Sequence, residues 1–205
     1  MLVQRNHARP EVAASAWVAP TAQLVGNVVV GEGCVVDYGA VVTSSGPPVR
    51  LDEGVVVMPG AVLRSAGGGH RPAYPLLVGA ESLVGPLASL VGCTLGPACY
   101  VATGVMVFQG VVVGEGSRLG AGSIVHVGTA LPAGSRVGMR QLAVPGEDGE
   151  AVVTSDLDEA RRLLGRADFF ARAFDDSDQA DLAALHRRAT ATLRAEAADW
   201  TDAPL

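Results

Sequence analysis

Valine or leucine opens a six-residue block again and again along the first two thirds of the chain. Read in sixes from Val18, the sequence runs VAPTAQ, LVGNVV, VGEGCV, VDYGAV. A short interruption follows Thr43, from Ser44 to Arg50. The period returns with LDEGVV and VMPGAV, then Leu63. A longer interruption occupies about Ser65 to Leu77. It is followed by VGAESL, VGPLAS, the five-residue block LVGCT, and then LGPACY, VATGVM, VFQGVV, VGEGSR, LGAGSI, VHVGTA and LPAGSR. Each block also carries a small residue at its fifth position.

This pattern has a geometric reading. Three six-residue sides close one triangular coil, and the opening residue of each side points inward. Stacked coils then bury a continuous aliphatic column. The corners between sides favour residues that tolerate positive φ, as at Gly33, Gly39, Gly60, Gly116 and Gly122. A β-sandwich with Val-rich strands would place turn signals every 8–12 residues rather than every six. The pattern predicts a mainly β chain, a parallel β-helix of hexapeptide repeats over residues 1–145, of the left-handed kind known for this repeat.

From about Ala151 the spacing becomes helical. Asp156 opens DLDEARRLLGRADFFARAF, with Leu157, Leu164, Phe170 and Phe174 recurring at helical intervals. Ser177 or Asp178 is expected to cap a second helix bearing Leu182, Leu185, Ala189, Leu193 and Trp200 on one face. Residues 146–205 therefore read as C-terminal α-helices packing on the β-helix wall of the same or a neighbouring subunit. His186 falls near the apolar stripe and reads as packing.

Composition narrows the function. The chain has 205 residues, 49% hydrophobic but only 4% aromatic, as suits a narrow, regular core. Its net charge of −6 argues against a nucleic-acid partner. No run reaches the ~18 apolar residues of a membrane span. Residues 1–15 lack the apolar stretch of a signal peptide, so a cytoplasmic location is expected. Cys34, Cys93 and Cys99 are irregularly spaced and form neither a disulfide framework nor a metal knuckle.

The blocks from about Pro10 to Pro145 resemble the γ-class carbonic anhydrases. GAVV (39–42) precedes a loop and Arg50 in V-R-L-D. GAVL (60–63) precedes a loop closing on Tyr74-Pro75, and then comes VGPLASLVGCTLG (84–96). The short block LVGCT stands where that family has L-H-G-C-x. The resemblance implies a homotrimer with zinc between subunits, held by three histidines from two chains. Those positions here are Arg64, Pro86 and Val91. None offers a lone pair at neutral pH, whereas catalytic Zn²⁺ needs about three protein ligands. The family's Arg-Gly-Asp after GAVV is Thr43-Ser44-Ser45, and its Gln-Asp before GAVL is Met58-Pro59. The expectation is a divergent member with no metal and no cofactor.

The replacements suggest reuse of the cleft. Met58, Pro86, Val91 and Phe108 would make it apolar, with Thr43 and Ser45 as hydroxyls, which is the usual form of a small-molecule site. Arg64 would either meet a carboxylate or enolate-like oxygen, or form a structural ion pair across the trimer. His70, behind three glycines, is a candidate general base or an exposed loop residue. Tyr74 is a second donor or acceptor. His126 reads as an outward-facing packing residue. Three functions remain open. The first is a metal-free enzyme of the proton-transfer, cyclisation, dehydration or lyase type, using His70, Arg64 and Tyr74. The second is a non-catalytic binding or structural subunit. The third is an acyl-CoA-dependent acyltransferase using His70, whose loop faintly resembles that of the xenobiotic acetyltransferases.

Overall fold

The structure is a computed structural model; it describes residues 1–69, 71–165, 181–198 and 200–204. The six-residue blocks coil into a solenoid with three parallel sheets as its faces. On the first face, Leu24, Val42, Leu63, Leu90, Val107, Val125 and Ala143 stack in register. The second face stacks Val30, Leu51, Val78, Leu95, Val113 and Leu131. The third stacks Val36, Val57, Val84, Val101, Leu119 and Val137. All of these block openers are buried, as the coil geometry requires. The small fifth residues also turn inward: Ala40, Ala61 and Ala88 are buried, and Cys34, Cys93 and Cys99 occupy the same kind of position as free thiols. The corner glycines have positive φ, for example 63° at Gly33 and 68° at Gly60.

Register locates the irregularities. Leu24 pairs with Val42, eighteen residues on, which is one regular coil. Val42 pairs with Leu63, so the first loop adds three residues. Leu63 pairs with Leu90, so the second adds nine. Leu90 pairs with Val107, one residue short of a coil, because LVGCT lacks one position. The insertion carries a small antiparallel hairpin, Ala66–Gly68 against Arg71–Tyr74.

The first face is the longest because both chain ends extend it. Leu2–Arg5 pairs in parallel with the 23–25 strand, and Asp202–Pro204 adds antiparallel outside it. At the other end, Leu142–Pro145 is joined by Ala151–Thr154, so this sheet continues across residue 145. Helix α1 (Leu157–Leu164) is capped by Asp156, whose carboxylate accepts from the Asp158 and Glu159 amides. Its inner residues are Ala160 and Leu163, while Leu157 is 56% exposed. The expected inner face was thus rotated, since Ala160 and Leu163 together fit the strands beneath. Phe170, Phe174, Ser177 and Asp178 lie outside the described residues.

Helix α2 (Leu182–Ala198) begins at Asp181, whose carboxylate accepts from the Ala184 amide. Leu185 and Ala189 are its buried residues, whereas Leu182 and His186 are exposed. His186 thus lies outside the buried stripe of this helix. Within the chain, the end of α2 lies over the outer side of the first face close to the inserted hairpin, and the strand beyond it joins the edge of that sheet.

Candidate functional site

The outward-facing row of the first face carries three of the changed positions, Thr43, Arg64 and Val91. Arg64 stands in register between Thr43 and Val91. Phe108 follows Val107, the register partner of Leu90, and continues the row to His126. Pro86 lies elsewhere on this chain, five residues before Val91 at the corner entering the face. That is up to about 16 Å away at roughly 3.3 Å per residue. Met58 shares this corner, donating its amide to the Val84 carbonyl. One chain therefore brings 64 and 91 together on the first face, while 58 and 86 follow the strands of the third face.

A cavity of about 360 Å³ opens over the row. Its floor includes Val25, Val41, Thr43, Ser45 and Arg64, and its far wall is Leu193, Glu196 and Trp200. Arg5 and Arg71 close the sides. Of the residues singled out in the sequence, Thr43, Ser45 and Arg64 line this cavity. Met58, Tyr74, Pro86, Val91 and Phe108 do not. His70 lies outside the described residues.

Two of the three guanidiniums are held by carboxylates. Arg71 donates from Nε and Nη2 to both oxygens of Glu196, each at 2.5 Å. Arg5 donates in the same bidentate manner to Asp202 at 2.8 and 2.7 Å, and its guanidinium lies 3.9 Å from the Trp200 ring centroid. Arg5 also donates to Thr43 Oγ1 at 3.3 Å. Its hydrogen bonds hold the Asp202 carboxyl below its ordinary pKa. Among the described residues no carboxylate forms an ion pair with Arg64. Desolvation and then the neighbouring Arg71 lower its pKa, and Glu196 partly opposes this. Arg64 keeps solvent-exposed surface, and an arginine so placed remains a cation.

Tyr74 has a packing position. The short corner at Gly92 has φ 50°, and a Cβ there would stand 2.5 Å from the Tyr74 Cβ. A Cβ at Gly110 would meet the Tyr74 ring at 3.2 Å. The end of the hairpin thus lies over the dent left by the missing residue. His126 is half-buried, tilted over Phe108 at 5.7 Å between centroids. Its Nδ1 is buried without a hydrogen-bond partner, and desolvation lowers its pKa.

Sequence reasoning missed Arg5, Arg71, Glu196 and Trp200. Arg71 adjoins His70 in the inserted loop, so the loop was visible but not which residue turns inward. Nothing local marks Arg5 or Glu196, which the fold brings to the row from the two ends of the chain.

The residues do not fit a zinc ion. Guanidiniums donate and do not accept, and Pro and Val offer no donor atom to a metal. Among the described residues, no group of three or more His, Cys, Asp or Glu side chains could hold one. No helix among them is long and apolar enough to cross a membrane.

No family model matches this chain. It is 30% identical over 95 residues to the mitochondrial γ carbonic anhydrase 3 of Arabidopsis thaliana, a stretch covering 46% of this chain and 37% of that protein. Among solved structures it is similar to a Bacillus cereus protein assigned as an acetyltransferase, with a TM-score of 0.52 and 21% identity. That match covers 76% of this chain and 84% of the other. A hexapeptide transferase family protein from Anaplasma phagocytophilum matches at a TM-score of 0.36 and 20% identity, over 78% and 87% of the two chains. Together with the in-register coils and the γ-carbonic-anhydrase-like blocks, the Arabidopsis thaliana and Bacillus cereus likenesses make the chain a divergent hexapeptide-repeat protein with a left-handed parallel β-helix fold, similar in sequence to the γ-carbonic anhydrases.

Proposed function

We propose that this protein is a zinc-independent relative of the γ-carbonic anhydrases whose cleft acts on a small organic molecule. The observation that carries the reading is Arg64. A fixed cation, with no carboxylate paired to it among the described residues, stands where the resemblance places a zinc-binding histidine, and Thr43 lies beside it in register. A guanidinium stabilises an oxyanion as it forms. In this reading His70 removes a proton, and the electron pair left behind settles on a carbonyl oxygen facing Arg64. Tyr74 is a second donor or acceptor in the same proposal, although within one chain its ring packs on Gly110 and does not line the cavity. Such groups suit proton transfer, cyclisation, dehydration or lyase chemistry. The homotrimer implied by the resemblance would supply the Met58 and Pro86 corner from another subunit. A cytoplasmic location belongs to the same proposal.

Metal analysis and CO₂ hydration test it. The purified protein is expected to hold well under one zinc per trimer, and added Zn²⁺ should elicit no hydration. Stoichiometric zinc with hydration activity overturns the reading. Acyl transfer from a CoA thioester, with His70 as base, is the competing assignment. The Bacillus cereus protein has an acetyltransferase assignment but shares only the fold. A thermal shift with acetyl-CoA would favour that alternative, and its absence together with a metabolite retained in native mass spectrometry favours the metal-free enzyme over both rivals. A chain with neither would be a binding or structural subunit.

A further inference from the structure

The charge balance of the cavity specifies more than a small molecule. Arg5, Arg64 and Arg71 line it, and Glu196 and Asp202 each neutralise one of them through bidentate pairs. Among the described residues one positive charge is left, at Arg64. Around it, Val25, Val41, Leu193 and Trp200 provide an apolar wall, and Thr43, Ser45 and Ser65 line the same space. The Ser45 hydroxyl is already committed to the Ser65 carbonyl at 3.0 Å, and the Ser65 hydroxyl accepts from the Ser45 amide at 3.1 Å. The Thr43 hydroxyl accepts from Arg5. The strongest anchor left for a ligand is therefore the Arg64 guanidinium.

From this balance we propose that the cavity binds an apolar monocarboxylate, with the carboxylate on Arg64 and the hydrocarbon part against Leu193 and Trp200. The proposal rests on the reading of this cleft as a small-molecule site. A planar guanidinium fork matches a carboxylate by two parallel hydrogen bonds. A dianion such as phosphate would bring more charge than the cavity leaves unbalanced, and would have no use for the apolar wall. A neutral alcohol of the same length would leave Arg64 without its acceptor. The volume of about 360 Å³ lies at the small end of ligand cavities, which suits a short-chain or single-ring acid.

The chain itself supplies the reporter. It has two tryptophans, and Trp17 lies on the third face, edge-on to Tyr38 at 5.8 Å, away from the cavity. Trp17→Phe keeps an aromatic ring there and leaves Trp200 as the sole tryptophan. That full-length protein is titrated at constant ionic strength with hexanoate, 1-hexanol and inorganic phosphate. Hexanoate should give a saturable change in Trp200 fluorescence, at least tenfold tighter than hexanol or phosphate. Arg64→Gln should abolish that preference, since one charge-assisted pair accounts for about a tenfold difference or more. Arg64→Lys should retain part of it. No saturable hexanoate effect, equal binding of hexanoate and hexanol, tighter binding of phosphate, or a preference that survives Arg64→Gln would each overturn the proposal. The comparison of the three probes on the unmutated site needs no Arg64 variant, so a misfolded variant leaves the answer intact. Zinc content and CO₂ hydration test the broader reading separately, so the two can fail independently.

Discussion

The Arg71–Glu196 pair ties helix α2 to the inserted hairpin, and replacing Glu196 with glutamine isolates its contribution. The Arg71 side chain is 8% exposed and the Glu196 side chain 28%. Both carboxylate oxygens accept from Arg71 at 2.5 Å, and glutamine keeps only one of these acceptors. Removing one partner of a fully buried ion pair costs about 3–5 kcal/mol, because the other charge stays desolvated and loses that counter-charge. Glu196 remains partly wet, so solvent reduces the loss, and about 2 kcal/mol is expected here. The nearby Arg64 adds repulsion once the carboxylate is gone. Urea denaturation at fixed protein concentration measures the effect, with Trp200 fluorescence in the Trp17→Phe background read beside far-ultraviolet circular dichroism. Should α2 detach before the solenoid unfolds, the two signals separate. Arg71→Gln alone should cost a similar amount. The double variant should lose about 1–2 kcal/mol less than the two single losses combined, since the pair can be broken only once. Single losses under about 0.5 kcal/mol with no coupling would refute the claim that this pair holds the helix.

Two further outcomes follow from the core. Leu90 is fully buried between Leu63 and Val107, so Leu90→Ala should destabilise the fold by about 2–5 kcal/mol, read as a lower urea midpoint at unchanged slope. Burial pushes the Cys93 thiol from 9.0 up to about 12, so it stays protonated in the fold while the unfolded chain releases its proton near pH 9. Stability from this group is complete below about pH 9 and falls as the pH rises towards 12, by up to roughly 4 kcal/mol at about 1.36 kcal/mol per unit. Cys93→Ala should flatten that slope, and an unchanged alkaline slope would count against the assignment. The three thiols should also resist a thiol reagent at pH 8 until denaturant is added, because all three are buried.

Much of this protein is written locally. The six-residue period alone locates the inward openers from Leu24 to Leu131, because each block opener must fill the same narrow triangle as the one stacked below it. The short block LVGCT and the loop after Arg64 are equally visible, since an addition or loss shifts the period at once. That Arg64, Pro86 and Val91, where the resemblance places zinc ligands, offer no atom to a metal is also readable without coordinates. The cavity is another matter. Arg5 meets Asp202 across 197 positions, and Arg71 meets Glu196 across 125. No repeat links such positions, because neither the C-terminal strand nor α2 belongs to the solenoid period. Only the return of the chain to pair with Leu2–Arg5 puts Trp200 and Glu196 over the Arg64 row. Likewise the sequence offered Tyr74 as chemistry, whereas the dent at Gly92 gives it a place to pack. The period decides which side chains point inward, and tertiary closure decides which outward-pointing ones share a space.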